Sequence, residues 1–189
     1  MPTRERSFEV LFSDDSIVEL SRLDLALLDT RLPASITGRV RFCAHGDASE
    51  SLHEMFVLIA RDNYVRPHKH PGKVESFHIV RGQVDVVIFD DTGKIETVLQ
   101  LGDYQSGLAF FYRLSKPLFH TVLVRSESVL IHETTNGPFS KSDSIYAPWA
   151  PEESNELAKL FLEDLNASVE AFLAGQTKFP PSIDGHCSV

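Results

Sequence analysis

The chain has 189 residues and a mass of 21.2 kDa, which is enough for one compact domain with its own core. Apolar residues make up 42% of the sequence and charged residues 24%, a composition that is typical of folded globular proteins and excludes a disordered chain. The net charge of −9 argues against nucleic acid as a partner, because neutralising phosphates requires a basic patch.

The sequence carries no signal for export or membrane insertion. Its start, MPTRERSFEVLFSDDS, lacks the apolar core of a signal peptide, and a run of about 18 apolar residues is absent. We therefore expect a soluble, cytoplasmic protein without a membrane partner. The two cysteines, Cys43 and Cys187, predict free thiols rather than a disulfide framework or a thiolate zinc site.

The first element in chain order is a predicted N-terminal helix. The segment DDSIVELSRLDLALLDTRL, residues 14–32, carries leucines at helical spacing behind a candidate N-cap, and Pro33 would end the helix. We therefore expect residues 1–37 to form a helical segment.

A β-rich region follows over residues 38–140, where the hydrophobic period changes. Short runs of β-branched and aromatic residues recur there: RVRFCAH, EMFVLIAR, ESFHIVRG, QVDVVIFD, KIETVLQL, LAFFYRL, FHTVLVR and SVLIHET. The Asp and Gly of DDTG, residues 90–93, predict a tight hairpin between the fourth and fifth runs. About eight short strands in about 95 residues predict an antiparallel sandwich or barrel.

A C-terminal extension, residues 141–189, contains one predicted amphipathic helix. Pro151 lies near its start and Gly175 just past its end. Its apolar face consists of Leu157, Phe161, Leu165, Val169 and Phe172. The pattern itself allows packing on the barrel or on a partner subunit, and we place the helix on the barrel.

Three histidines and a glutamate interrupt the β pattern in RPHKHPGKVESFHIVRG, residues 66–82. On an extended strand His68 and His70 point to the same side, about 6.7 Å apart along the chain, so both imidazoles can reach one ion. Glu75 shares its face with apolar residues and therefore points inward, where an isolated carboxylate is costly. A bound divalent transition ion would remove that cost.

His120 is the candidate for a third imidazole ligand, because it opens the short apolar strand HTVLV after the polar turn LSKP, near one rim of the barrel. Strand alternation places His78 on the face opposite to Glu75, so we leave it out of the ligand set. His132 and Glu133 have opposite phases on a late strand. At most one of them faces the cavity, and the sequence assigns neither.

The spacing HxHx4Ex6G, which begins at His68 and ends at Gly82, resembles the first motif of the cupins. Gly102-Asp103 followed later by His120 resembles the second motif. The resemblance implies a mainly β, single-domain jelly-roll barrel with N-terminal and C-terminal helical segments. It also implies three His and one Glu as ligands of one divalent metal: His68, His70, Glu75 and His120.

A closer resemblance links the segments RVRFCAH, YVRPHKHPGKVESFHIVRGQVDVVIFDDTG, FHTVLV and APWAP to the WbuC family of cupin-fold metalloproteins. It spans roughly residues 16–151 and implies association with surface-polysaccharide biosynthesis. We therefore expect a carbohydrate-like small molecule, a sugar or sugar-nucleotide derivative, as the ligand. The metal is expected to be Fe, Ni, Mn or Zn, because imidazole accepts all four.

Five residues are candidates for contacting the ligand or lining its cavity: Tyr64, Arg66, Lys73, Tyr112 and Phe119. The alternative is that the first three are ordinary strand-end residues and that the last two belong to the core. A second group, Arg39, Arg41 and His45, either lies at the mouth of the pocket or forms a charged, exposed edge strand.

Two hypotheses of different class follow. The first is a metal-dependent enzyme of the cupin type, an isomerase or epimerase, a hydrolase or a dioxygenase, which predicts open coordination positions and a nearby acid or base with a shifted pKa. The second is a non-catalytic cupin that binds a small molecule, in which the metal is structural or orients the ligand. Edge strands and the apolar helix face also predict a homodimer.

Overall fold

The computed structural model describes residues 3–176 and folds them into two β-sheets that face each other. Sheet A contains, in spatial order, β1 (Thr3–Ser7), β2 (Val10–Ser13), β3 (Arg39–Cys43), β4 (Leu52–Ala60), β11 (Ser128–Asn136), β6 (Glu75–Arg81) and β9 (Phe111–Leu114). Sheet B contains β12 (Ile145–Tyr146), β5 (His68–Lys69), β10 (Phe119–Val124), β7 (Gln83–Phe89) and β8 (Ile95–Gly102). Neighbouring strands are antiparallel except β2 and β3, which are parallel. The mainly β, jelly-roll-type fold predicted from the sequence is confirmed.

All eight predicted strands are present, and they correspond to β3, β4 and β6–β11. The DDTG hairpin between β7 and β8 is confirmed as well, with Gly93 at a φ of +93° and its amide donating to the Asp90 carbonyl. Two further strands, β1 and β2, precede the first helix and were not predicted. They lie at one end of sheet A. β1 is an exposed strand with charged side chains and lacks the apolar alternation of a core strand, whereas β2 is short but largely buried.

The predicted helix over residues 14–32 is wrong in its start, because α1 begins later and runs from Arg22 to Arg31. A capping box sets this start. The Ser21 hydroxyl accepts from the Asp24 amide, and the Asp24 carboxylate accepts from the Ser21 amide at 2.8 Å. A 3-10 turn, Leu32–Ala34, follows directly and ends the helical segment at Pro33 and Ala34.

Three apolar clusters hold the layers together. The central one fills the space between the inner faces of the two sheets, with Ile79, Val84, Val86 and Val129 among its most buried members. A second cluster packs α1 against the outer face of sheet A. The third packs α2 (Leu157–Gln176) against the outer face of sheet B. The inner faces are therefore left to form the central core and a cavity beside it.

The C-terminal helix docks through both apolar and polar contacts. Leu165 and Val169 are buried against sheet B, whereas Leu157 is 59% exposed. Arg125 ties the helix to the barrel, because its guanidinium donates to Asp85 at 2.6 Å and to Asn166 at 2.8 Å. The apolar face of α2 thus packs on its own chain.

The far C-terminal predictions have mixed outcomes. The predicted end of the helix before Gly175 is wrong, because α2 continues through that residue to Gln176. Cys187 lies outside the described residues. Cys43 is a buried free thiol. None of the helices within residues 3–176 is long and apolar enough to cross a membrane.

Candidate metal centre

The histidine cluster forms where the two sheets meet at one end of the barrel. His68 and His120 are directly opposite each other in the β5–β10 pair, so both imidazoles leave sheet B at the same point. His70 follows β5, and the turn at Gly72, with a φ of +78°, leads the chain into β6 of the opposite sheet. Glu75, the first residue of β6, faces the cluster from sheet A.

The three imidazoles converge. One ring nitrogen from each of His68, His70 and His120 lies within 4.8 Å of the others, and the ring centroids of His68 lie 4.7 Å from those of both partners. His120 is 2% exposed, so the cluster reaches into the interior. These residues could hold one metal ion.

Backbone carbonyls fix the orientation of each ring. His68 Nδ1 donates to the Arg66 carbonyl at 2.8 Å, and His120 Nδ1 donates to the Leu118 carbonyl at 2.9 Å. His70 Nδ1 donates to the carbonyl of Asp143 at 3.2 Å. Because a carbonyl only accepts, Nδ1 carries the proton in all three rings, and the neutral imidazole then presents the Nε2 lone pair. The tautomer required for a metal ligand is therefore imposed by the fold.

Glu75 completes the cluster and is 5% exposed. Its carboxylate lies 3.0 Å from His120 Nε2 and 3.7 Å from His70 Nε2, and it accepts from the Tyr112 hydroxyl at 2.7 Å. Burial alone would raise the pKa of Glu75, but the hydrogen bonds from His120 and Tyr112 and the charge of His120 lower it to about 2. The side chain is therefore an anion.

The imidazoles respond differently to this carboxylate. Burial and, to a smaller degree, the charge of the neighbouring His120 together lower the pKa of His68 to about 3. Burial also tends to lower the pKa of His120, but the hydrogen bond and charge of Glu75 outweigh burial and raise it. Without a bound ion, His120 therefore holds a proton more tightly than His68 does.

A cavity of about 730 Å³ opens from the cluster between the two sheets. Three cross-strand rows of sheet A form its wall: Glu75, Thr135 and His53; then Phe77, Glu133, Met55 and Cys43; then Ile131, Val57 and Arg41. The volume suits a small organic molecule. The cavity therefore connects the histidine cluster with the polar residues of β3, β4 and β11.

Of the five residues predicted to contact a ligand, Lys73 lines the cavity. Its ammonium group is held by the Asp143 carboxylate at 3.1 Å and by two backbone carbonyls of the loop after β11. Tyr112 lies behind Glu75 and contacts the carboxylate instead of the open space. It thus belongs to the support of the cluster.

The other three of those residues are not brought to the cavity. Tyr64 is turned towards α2, where its hydroxyl donates to the Pro151 carbonyl at 2.9 Å. Phe119 packs in the cluster under α2, because it has the opposite strand phase to His120. Arg66 donates to the Ala147 carbonyl and lies over the ring of Tyr146. All three link sheet B to the segment that leads into the C-terminal helix.

The residues that the sequence left unassigned are now placed. His78 is exposed on the outer face of sheet A, as predicted. His132 also lies on that outer face, stacked on Phe56 with ring centroids 4.7 Å apart. Glu133 faces the cavity, one cross-strand row from Glu75.

Glu133 is the polar residue of the cavity that sequence reasoning missed. Burial is the main reason that its pKa is raised to about 7, and the charge of Glu75 acts in the same direction against the opposing charge of Arg41. It shares the strand phase of Val129 and Ile131, which are inward-facing core residues. A carboxyl group that titrates near neutral pH is suited to proton transfer.

Further from the cluster, His45 and His53 stack with ring centroids 4.1 Å apart and planes 2° apart. His45 Nδ1 lies 3.1 Å from the Glu54 carbonyl, and burial lowers the pKa of His53. Cys43 lies beside them on β3. Its thiol is not a reactive anion, because burial raises the pKa to about 11.

Two facing sheets with an inward cluster of histidines define a cupin-type barrel, the class that the sequence motifs predicted. A family model described as a domain of unknown function, DUF6016, matches residues 25–101. A search of curated proteins finds no match. None of these findings confirms the WbuC family, which stays a prediction, as do the cytoplasmic location and the dimer.

Several solved structures resemble the chain at low sequence identity. Protein SO0799 from Shewanella oneidensis has a TM-score of 0.44 at 13% identity and covers 55% of this chain and 66% of its own. Bacillus subtilis oxalate decarboxylase OxdC, solved at pH 4.6, has a TM-score of 0.42 at 18% identity, with coverages of 52% and 24%. The Cnp3 cupin domain of Schizosaccharomyces pombe has a TM-score of 0.41 at 12% identity, with coverages of 52% and 64%. The chain therefore spans less than two thirds of SO0799 and of the Cnp3 domain, and about a quarter of OxdC.

Proposed function

We propose that this protein is a metal-dependent enzyme of the cupin type that acts on a small oxygenated molecule. In this proposal His68, His70, His120 and Glu75 hold one divalent transition ion. The observation that carries the proposal is the convergence of three imidazoles, each of which donates from Nδ1 to a backbone carbonyl.

The donor set fits such an ion. Three neutral imidazoles facing one another direct lone pairs into a shared space, an arrangement that is unfavourable unless a cation or a proton lies between them. Glu75 supplies a buried anionic oxygen at the same point. Nitrogen ligands with one carboxylate suit Fe, Ni, Mn or Zn, whereas calcium and magnesium would require more oxygen ligands.

Four protein ligands leave up to two positions open in an octahedral shell. When bound, the ion would supply Lewis acidity towards a carbonyl or hydroxyl group, and iron would add dioxygen chemistry. The protein's own contribution is the enclosed cavity and the carboxyl group of Glu133, which can accept or give a proton near neutral pH. Isomerisation or epimerisation, hydrolysis and oxygenation are the reaction classes in keeping with this set.

The substrate class rests on other grounds. The resemblance to the WbuC family favours a sugar or sugar-nucleotide derivative from surface-polysaccharide biosynthesis. The cavity volume of about 730 Å³ is in keeping with a molecule of that size.

The second candidate is a non-catalytic cupin whose metal orients a ligand or stabilises the barrel. The stacked pair of His45 and His53 favours it, because imidazole nitrogens at a cavity wall can hydrogen-bond the hydroxyl groups of a sugar. The two candidates differ in the coordination of the ion. An enzyme needs water-accessible positions on it, whereas a structural ion has a closed shell.

Elemental analysis by plasma mass spectrometry tests the site. Wild type, His70→Ala, Glu75→Ala and the control His78→Ala would be purified and reconstituted in parallel with Fe, Ni, Mn and Zn. We expect near-stoichiometric metal in wild type and in His78→Ala, where an exposed histidine outside the cluster is removed, and loss in the other two variants. Failure of wild type to retain any of the four ions contradicts the proposal. Water proton relaxation of the Mn-loaded protein then separates the two candidates, since a closed shell leaves no fast-exchanging water on the ion.

A further inference from the structure

Four cationic and four acidic side chains line the cavity. The cations are Arg6, Arg39, Arg41 and Lys73, and the acids are Glu75, Glu133, Asp143 and Glu153. Two of the cations have anionic partners. Lys73 pairs with Asp143 at 3.1 Å, and Arg39 pairs with Glu153 at 2.5 Å. Their charges are balanced within the protein.

Arg41 has no anionic partner of this kind among the described residues. It lies on the inner face of β3, two residues from Cys43, and is half-buried. Its guanidinium has neither a hydrogen-bond nor an ion-pair partner among the side chains and carbonyls of the described residues. A half-buried guanidinium without a partner has donors free to bind an acceptor that enters the cavity.

The nearest candidate partner does not satisfy Arg41. Glu133 belongs to the neighbouring cross-strand row and feels the charge of Arg41, but the two groups form no ion pair within 4.0 Å. Arg6 of β1 lies at the exposed rim of the same cavity and is also without an ion-pair partner in the described part of the chain. Two unbalanced guanidinium groups therefore face one cavity whose other end holds the histidine cluster.

We propose that Arg41, assisted by Arg6 at the rim, binds an oxyanion of the ligand, a carboxylate or phosphate group, while the rest of the ligand extends towards the histidine cluster. The inference rests on the proposed function and narrows its substrate class to acidic or phosphorylated small molecules. The planar fork of arginine pairs with both oxyanions through two parallel hydrogen bonds. Two strands of sheet A, β4 and β11, lie between the strand of Arg41 and that of Glu75, so the anionic group lies at the opposite end of the ligand from the atoms nearest the cluster.

Calorimetric titration with defined probes tests this site. The probes are glutarate for carboxylates, glycerol 3-phosphate for phosphates and glycerol as the neutral comparison. They would be titrated into Zn-loaded and metal-free wild type, Arg41→Gln, Arg41→Lys and the control Arg113→Gln. Arg113 is an exposed arginine on β9, outside the cavity, so its replacement removes the same charge without touching the site.

We expect at least one of the two anions to bind wild type and Arg113→Gln with equal affinity, and glycerol to show no binding. Arg41→Gln should lower the affinity for the anion by about ten- to a hundredfold. Arg41→Lys should lower it less, because lysine keeps the positive charge but cannot form the two parallel hydrogen bonds of a guanidinium group. The anion that binds more tightly shows whether Arg41 prefers a carboxylate or a phosphate group.

The proposal is overturned if Arg41→Gln binds both anions as wild type does, if neither anion binds, or if glycerol binds equally well. It is also overturned if binding requires zinc and is indifferent to Arg41, since the anion would then sit on the ion alone. Metal content measured on the same samples keeps the two proposals apart. A chain that holds no metal yet binds anions through Arg41 contradicts the metal proposal alone, and a chain that holds metal without anion binding contradicts the arginine site alone.

Discussion

Tyr112 of β9 donates its phenolic hydrogen to Oε1 of Glu75, on the adjacent strand β6, at 2.7 Å, and both side chains are buried. This hydrogen bond to one carboxylate oxygen helps to lower the pKa of Glu75 and so to keep the carboxylate ionised. Groups that hold a ligand from behind typically change metal affinity by about 10- to 100-fold when removed.

We therefore expect Tyr112→Phe to lower metal affinity by about 10- to 100-fold while the fold stays intact. Chelator competition with the purified protein measures the affinity, and circular dichroism checks the fold. Tyr104→Phe removes a hydroxyl from a tyrosine that is 79% exposed and should change nothing. Equal metal affinity in Tyr112→Phe and wild type would show that Glu75 needs no support from Tyr112.

Metal binding should release a proton from the pair formed by His120 and Glu75. The carboxylate raises the pKa of His120, so the metal-free protein keeps a proton there to a higher pH than an ordinary histidine would, and an ion can bind only after that proton leaves. Affinity should rise with pH and level off above the pKa of His120. Calorimetry in two buffers of different ionisation enthalpy should detect proton release on metal binding, and the release should grow as the pH is lowered towards the pKa of His120. In Glu75→Gln the release should shrink, whereas a wild type that releases no proton would contradict this account.

Glu133 should make the metal-free protein less stable as the pH rises. Its pKa is about 7 in the folded chain against an ordinary value of 4.5, so the folded state binds the proton more tightly than the unfolded state. Stability is therefore lost as the pH rises from 4.5 to about 7, and the loss persists above that range. Glu133→Gln removes the charge and should match wild type at about pH 4 but exceed it at about pH 8, by up to about 3 kcal/mol. Urea unfolding at both pH values measures the difference, with the exposed Glu96→Gln as the control. A constant difference between Glu133→Gln and wild type at the two pH values contradicts the shifted pKa.

The sequence predicted the strands and the histidine cluster because strand alternation determines both. Glu75 could be placed inward since its neighbours of the same phase are apolar, and its partners of opposite phase, Ser76 and His78, do lie outside. The same reasoning stopped at Glu133. Leu130 and Ile131 are both buried, because α1 covers the outer face of sheet A, so burial on β11 does not alternate. A strand covered on both sides hides which of its polar residues faces the cavity.

The sequence also did not predict where side chains lie relative to segments that are distant in the chain. Tyr64 was a candidate because it is close to His68 in the chain, but it lies between β4 and β5 and its ring contacts Phe161 of α2. Phe119 was a candidate for lining the cavity, but adjacent strand residues point to opposite faces, and His120 takes the inward one. Arg41 could be placed only after the pairing of β3 with β4 had set its register against Val57. That register depends on contacts between segments far apart in sequence, which propensity and period do not specify.

A homodimer through the free edge of β9 is a further prediction. Among the described residues β9 pairs on one side only, with β6, and Phe111 on it is 54% exposed. Tyr104 and Phe110 lie beside it with ring centroids 5.4 Å apart, so an apolar patch borders an unpaired edge. Light scattering should give twice the mass of the chain for wild type and for Leu160→Glu on α2, and the mass of one chain for Phe111→Glu. A wild type that is monomeric at all concentrations contradicts the prediction.

Gly82 joins β6 to β7 at a position where no other residue fits. Its φ is +87°, and a Cβ there would lie 2.5 Å from the carbonyl oxygen of Ser128, which belongs to the adjacent strand. Gly107 has a similar φ of +76°, but a Cβ there would meet no neighbouring atom. Gly107→Ala therefore costs only the free energy of placing a non-glycine residue at a positive φ. We expect Gly107→Ala to cost about 1 kcal/mol of unfolding free energy and Gly82→Ala about 2 to 4 kcal/mol, because the strand that carries Ser128 must move as well. Urea denaturation of both variants beside wild type measures the two values. Equal losses would mean that the backbone conformation, and not the close approach of Ser128, is what requires glycine at this turn.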